Sequence, residues 1–552
     1  MTTLATYWHT LRYLKPVQFY GRLSMRLVQP KADLRPAPPL RDKTGVWELP
    51  ALREPCMTGP TTFHFLGATA SLDDIGWDEQ RVDKLWRYNL HYFDDLNAAG
   101  ADRRVKWHHD LLQRWVLENP AGIGTGWEPY PVSLRLVNWV KWGLAGNLLA
   151  PEVLIVLAAQ ARWLTKRLEV HLLGNHLFAN AKALVFAGLF FRGGEAESWL
   201  QTGLRLLERE TSEQILSDGG HFERTPMYHS LALEDLLDIY NVTSTYRSCV
   251  PERWEGWLAQ LPDVIGRMRA WLAAMCHPDR QISFFNDAAM GIAPTPTELE
   301  RYAVRLRFAP RSPGSDGVTH LISSGYVRVQ SGPATAILDV APIGPDYLPG
   351  HAHADTLSFE LSLFGRRLLV NSGTSCYGAG GERQRQRGTA AHNTVVVDGR
   401  DSTEVWSGFR AARRARPFDL QISPYHATCT TISCAHDGYR WLKGRPRHTR
   451  KWSFLGNELL IEDRVDGRFN LAVARFHLHP SVTVRRLDPS GSSLELSLPG
   501  EQCVVLSCEG GKLATEEAWW HPQFGRSEVS TCVCARFEGH SLQTRIKWGQ
   551  SS

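Results

Sequence analysis

The chain has no paired-cysteine motif, no long apolar run and almost no excess of charge of either sign. Its ten cysteines stand at 56, 249, 276, 376, 429, 434, 503, 508, 532 and 534, without CxxC pairs or zinc-finger spacing. Several sit in apolar runs, as in Cys503-Val-Val-Leu-Ser-Cys508 and Cys532-Val-Cys534, the pattern of buried free thiols in a reducing compartment. The longest apolar stretch, 183–191, is too short to span a bilayer, so no transmembrane segment is expected. Residues 2–26 carry His9, Arg12, Lys15, Arg22 and Arg26 among their apolar positions and lack the continuous core of a signal peptide, which makes the cytoplasm the default location. A net charge of +5 is compatible with an anionic substrate and gives no reason to expect nucleic acid.

What is present is a globular composition, 43% hydrophobic and 22% charged, over 552 residues, which suggests two or three domains. Residues 1–80 are rich in proline and irregular after an amphipathic start, as a lead-in that wraps a larger body. Across 81–308, apolar residues recur every three or four positions in 104–118, 131–149, 152–172, 176–191, 196–210, 228–240 and 254–275. Short connectors such as Arg192-Gly-Gly194 imply antiparallel helix pairs arranged as a toroid or solenoid. The breaker cluster 309–317 marks a boundary. From 318 to 552 the pattern changes to strands, including 325–330, 334–340, 356–363, 394–397 and 459–464, the mark of a large all-β sandwich.

The densest chemistry lies in 351–394. His351-Ala-His353-Ala-Asp355 precedes a strand in which Leu357, Phe359, Leu361 and Leu363 alternate with Ser358, Glu360 and Ser362, as expected for one buried and one wet face. In an extended backbone the rings of His351 and His353 project to one side. Phe364-Gly365-Arg366 turns the chain into a second strand, followed by Asn371-Ser372-Gly373, an arginine-rich stretch and His392-Asn393-Thr394. In the helical half, Gly174-Asn175-His176 opens a helix, for which Asn175 is equally a candidate N-cap. Asp218-Gly-Gly-His221-Phe-Glu223-Arg224-Thr-Pro-Met-Tyr228-His229 crowds ionisable groups into one short stretch. Trp127-Glu128-Pro129-Tyr130-Pro131, with Arg135, offers rings for sugar stacking or simply a helix start. Arg383, Arg385, Arg387, Arg400, Arg410, Arg413, Arg414 and Arg416 form either an electrostatic rim for a polyanion or a solvated loop balanced by nearby acids.

In their order these segments resemble the heparinase II/III family of polysaccharide lyases. The resemblance runs from about Trp86 to Arg464, through Gly174-Asn175-His176-Leu-Phe-Ala-Asn180, Asp218-Gly219 to Tyr228-His229, His351 to Asp355 with Ser358-Phe359-Glu360, Asn371-Ser372-Gly373-Thr374, and Arg387 to Thr394. A weaker similarity is to members without a signal peptide that accompany exopolysaccharide or capsule synthesis. The family implies an (α/α) toroid followed by an antiparallel β-sandwich and β-elimination of a uronate-containing anionic polysaccharide. Asn175 and His176 would hold the carboxylate, and Tyr228 and His351 would serve as base and acid in an order left open. Trp127, Tyr130, Glu223, Arg224 and Arg387 would contact the sugar. Tyr228 would need Arg224 or the Arg383, Arg385 and Arg387 cluster to lower its pKa if it were the base.

No cofactor is required by this chemistry. The family's structural zinc or calcium would fall to His353, Asn371 and His392, where Asn371 replaces an acidic ligand. Two alternatives stand beside the lyase. One is a non-catalytic glycan-binding or assembly protein; the other is a glycoside hydrolase drawing on Glu223, Asp287 or Asp355, which nothing in the sequence pairs.

Overall fold

The computed structural model describes all residues except 1–3, 312–313, 427–428, 490, 501 and 550–552. A helical half is followed by a sheet-rich half, an (α/α) toroid joined to an antiparallel β-sandwich. The expected boundary at 309–317 includes residues 312–313, which lie outside the described residues.

Thirteen α-helices are described: α1 (Leu4–Leu11), α2 (Pro16–Leu27), α3 (Leu72–Ile75), α4 (Lys84–Tyr92), α5 (Val105–Glu118), α6 (Pro129–Leu144), α7 (Pro151–Thr165), α8 (Gly174–Phe190), α9 (Gly194–Gln214), α10 (Pro226–Thr245), α11 (Glu255–Ala274), α12 (Pro296–Arg305) and α13 (Gly381–Arg387). Helices α6, α8 and α10 pack on one another, and α7, α9 and α11 lie against them. Proline at the first turn starts both α6 and α10, because its missing N–H has no partner there in any case. Every residue of α8 is buried except Asn175 and His176, so its long apolar run is an all-round core helix. Gly188 and Gly203 permit the close approach of α8 and α9; a Cβ at Gly188 would lie 2.6 Å from Leu200. The stretch expected to be helical over 152–172 ends earlier, at Thr165, because the chain must turn to present Leu173 and Gly174 at positive φ.

In the sheet-rich half, a five-stranded meander (Gly317–Leu321, Tyr326–Ser331, Ala334–Asp339, Phe359–Leu363, Arg366–Leu369) accompanies an eight-stranded and a four-stranded antiparallel sheet. The expected hairpin is present, Leu363 pairing with Arg366 across Phe364 and Gly365. The expectation of a wet face on Phe359–Leu363 is overturned. Ser358, Glu360 and Ser362 are as buried as their apolar neighbours, since the loop after α11 covers that face. His277 bonds Glu360 and Ser362, each at 2.7 Å, and Glu360 also accepts from the Asn371 and Phe284 amides. The ten cysteines form no disulfide. Cys276, Cys434, Cys508, Cys532 and Cys534 are buried, but Cys503 is exposed because it lies on the solvent side of its strand.

The strand Arg447–Phe454 supplies Arg450, which is fully buried and forks onto Asp463 at 2.7 and 2.9 Å. Its other nitrogen donates to the carbonyls of Leu357 and Asn393, tying together the two motif segments that flank the site. Burial alone would raise the Asp463 carboxyl, but Arg450 and His448 outweigh it and hold it at about 2. This depressed value stabilises the fold above the ordinary carboxylate pKa, and the contribution is lost as pH falls toward 2. Asp463→Asn strands the Arg450 charge and is expected to cost about 3–5 kcal/mol in denaturant unfolding. A loss below about 1 kcal/mol would show that Arg450 finds other partners.

Candidate functional site

The first turns of α6, α8 and α10 converge. Tyr130 at the start of α6 packs against His176 with ring centroids 4.4 Å apart, and Asn175 lies near the Tyr130 hydroxyl. Tyr130, Asn175 and Tyr228 line one pocket running into the toroid. Asn175 does not cap α8; Leu173 holds that position, leaving the amide free to face the cavity. Three helix N-termini, each carrying partial positive charge, favour a carboxylate at this point. Tyr228 is fixed by the cap Thr225, whose hydroxyl accepts its backbone N–H at 2.9 Å.

The sheet-rich half places an imidazole against Tyr228. The His351 ring lies 4.0 Å from that of Tyr228, centroid to centroid. Its Nδ1 is 2.8 Å from Asp287, leaving Nε2 on the other side, 3.7 Å from Glu223. Asp287 also bonds His353 at 2.8 Å and receives both terminal nitrogens of Arg383. Burial would raise the Asp287 carboxyl, but Arg383 and the two histidines hold it well below the ordinary range. As an ionised acceptor it keeps the His351 proton on Nδ1.

Tyr377 is the residue that sequence reading missed. Its hydroxyl is 2.9 Å from that of Tyr228, and its ring lies beneath the Arg383 guanidinium. The only signal for it was its place between two recognised motifs. Burial, reinforced by Tyr377 and Asp287, pushes the Tyr228 phenol well above its ordinary pKa. The expected activation by arginine is therefore absent: the Arg224 guanidinium turns away to the Ser324 carbonyl, and Arg383 is engaged by Asp287. Burial also raises Glu223, whose two oxygens are buried without hydrogen bonds, His351 and His176 only partly offsetting it. For His176 burial works against the charged form, but Glu169 at 3.1 Å prevails and raises the imidazole.

Other expected contacts do not reach the cavity. Trp127 is buried between Trp115 and Trp163, and Arg135 lies fully buried over Trp115, bonding backbone carbonyls. Both belong to the toroid core. Arg387 is fully buried, and donates to the Ala352 carbonyl, bracing the His351–His353 loop instead of meeting a ligand. Much of the anticipated arginine rim is paired: Arg385 with Glu382, Arg413 with Glu404, Arg414 and Arg416 with Asp346. Within the crowded segment, Asp218 bonds Ser324 and His229 bonds the Met268 carbonyl, so both serve packing. Asp355 accepts the Asn286 amide, and Asp287 is locked among cations; neither pairs with Glu223 as a hydrolytic dyad would require.

His353, Asn371 and His392 are neighbours, and each is held by a hydrogen bond to the surrounding protein. His353 Nδ1 faces His392 Nε2 at 3.1 Å, His392 Nδ1 bonds the Gly388 carbonyl, and the Asn371 side-chain oxygen accepts the Asn393 amide. Among the described residues no group of three His, Cys, Asp or Glu side chains is arranged to hold a metal. With His353 Nε2 donating to Asp287 and His392 Nδ1 donating to the Gly388 carbonyl, the two facing nitrogens both present lone pairs, which suit two ligands of a cation and not a hydrogen bond between them.

The first turns of α6, α8 and α10 thus share one pocket, and the Asp287-oriented imidazole of the sheet-rich half lies against its Tyr228. The chain belongs to the heparinase II/III family: residues 60–304 match the heparinase II/III N-terminus and 314–549 the heparinase II/III-like C-terminal domain. It is 27% identical to a heparin-sulfate lyase of Bacteroides stercoris, over 60% of this chain and 57% of that protein. With a heparin-sulfate lyase of Pedobacter heparinus it shares 24% identity, over 59% and 52%. It thus spans little more than half the length of these lyases. Its similarity to FtsZ-localized protein C of Caulobacter vibrioides, 26% identical, covers 78% of this chain and 76% of that one. The crystal structure of heparinase III superposes with a TM-score of 0.68 at 17% identity, over 89% of this chain and 80% of the other.

The two facing lone pairs predict that zinc raises the melting temperature and that EDTA reverses the rise. No response to either would show that the imidazole pair is held without a metal.

Proposed function

We propose that the protein is a polysaccharide lyase that cleaves a uronate-containing anionic polysaccharide by β-elimination. The observation that carries this reading is the facing pair of Tyr228 and His351, with His351 oriented by Asp287, beside the first turn of α8. The uronate carboxylate would lie against Asn175 and His176, whose donors spread the negative charge that develops when the C5 proton leaves. His351 Nε2 takes that proton. The C5–H electrons form the C4–C5 double bond, the C4–O bond breaks, and the Tyr228 hydroxyl protonates the departing oxygen. The raised phenol pKa supports this division, since an acid must hold its proton at neutral pH. Tyr377 can re-donate toward Tyr228 through their hydroxyl contact.

A non-catalytic glycan-binding or assembly protein of exopolysaccharide or capsule synthesis is the second reading, favoured by a similarity over most of both chains to FtsZ-localized protein C, which is not named a lyase. No helix among the described residues is long and apolar enough to cross a membrane, and the unbonded cysteines support a cytoplasmic, reducing location.

The test is ultraviolet absorbance during incubation with heparan sulfate, heparin, hyaluronan, alginate, polyglucuronate and the host's own exopolysaccharide. Elimination gives a conjugated double bond, hydrolysis gives reducing ends alone, and binding gives neither. Tyr228→Phe and His351→Ala are each expected to lower kcat at least about a hundredfold. An undiminished rate in either would sink the assignment.

A further inference from the structure

The first two helices invert the usual rule of amphipathic packing. On α1, Leu4, Tyr7, Trp8 and Leu11 recur at helical spacing and all face solvent, with Leu4 90% and Trp8 64% exposed. On α2, Phe19, Tyr20, Leu23 and Leu27 do the same, Leu27 at 72%. The residues turned inward are small or polar. Thr10 accepts from the Trp406 indole, Gln18 donates to the Tyr347 carbonyl, and Gly21 lies against His171. Lys15 pairs with Glu213 of α9. The hairpin is therefore anchored to both halves of the molecule by polar contacts while its apolar stripes stay uncovered.

Charge selects what covers them. No acidic residue precedes Asp33, whereas Arg12, Lys15, Arg22, Arg26 and Lys31 are spread through this segment. Among the described residues Arg12, Arg22 and Arg26 form no ion pair with a carboxylate. Aromatic and leucine stripes flanked by unpaired cations match the boundary between headgroups and acyl chains of an anionic bilayer. A second copy of the chain would bring the same positive segment against itself at a twofold contact, which charge disfavours.

The structure assigns to the α1–α2 hairpin a docking surface for an anionic lipid bilayer, with Trp8, Phe19, Tyr20 and Leu23 entering the interface. The surface is independent of the cleft and of the lyase reading. In flotation assays the full chain binds vesicles containing phosphatidylglycerol, binds phosphatidylcholine vesicles much less, and is released by high salt. Trp8→Ser/Phe19→Ser/Leu23→Ser, with all three sites at the surface, loses at least about tenfold in partition while its melting temperature is kept. Arg12→Gln/Arg22→Gln/Arg26→Gln loses the preference for anionic lipid. The assignment is overturned if the wild-type chain stays with the unbound fraction, if neither variant changes partition, or if the serine variant only converts a dimer to a monomer.

Discussion

The Asp287 carboxylate is the constraint on which the site depends. It comes from the loop after α11 in the helical half, yet its partners His351, His353 and Arg383 all belong to the sheet-rich half. A buried ion pair of this kind contributes little net stability, because desolvation of both charges offsets much of their attraction. What it supplies is direction. Neither half can shift against the other without leaving a charge buried and unpaired, so the Tyr228 and His351 rings stay face to face. The same carboxylate sets the imidazole tautomer, with Nδ1 bonded and Nε2 turned toward Glu223 and the cleft.

Around that fixed point the attraction for an anion is local. The cations deeper in the cavity are already paired: Arg53 with Glu234, Lys141 with Asp238, and Lys182 with Asp235 and Asp238. The arginines after residue 382 are largely spoken for as well. What remains for a ligand is the set of helix N-termini, the Asn175 amide and the His176 imidazole, which address one carboxylate and not a broad polyanionic face. Burial raises the Glu223 carboxyl, whose oxygens are unbonded, and so disfavours a second negative charge at this point.

Helix positions and the β-rich half were legible from periodicity, and the motif residues Asn175, His176, Tyr228 and His351 do share a site. The failures have a common physical origin. Trp127 and Arg387 read as ligand contacts because aromatic and basic side chains are the usual sugar-binding types; composition does not say whether they point into the core. Glu360 and Ser362 looked like a wet face because period-two alternation cannot see a loop from another domain lying over it. Asp287 was named only as an unpaired acid, since its partner His351 stands 64 positions away in the chain.

The lead-in departs from the usual amphipathic rule, its apolar stripes facing outward. An exposed Leu or Trp costs the folded chain little in itself, and scattered exposed apolar residues are ordinary. Eight in two helical stripes are not, because such a surface invites association wherever a matching phase exists. The polar anchors explain why the stripes stay outward: rotating α1 or α2 to bury them would break the Trp406–Thr10 and Gln18–Tyr347 bonds and expose buried polar groups. Tyr347 lies four residues before His351 and Trp406 three before Phe409, whose ring borders His351, so the loops that hold the hairpin also frame the cleft.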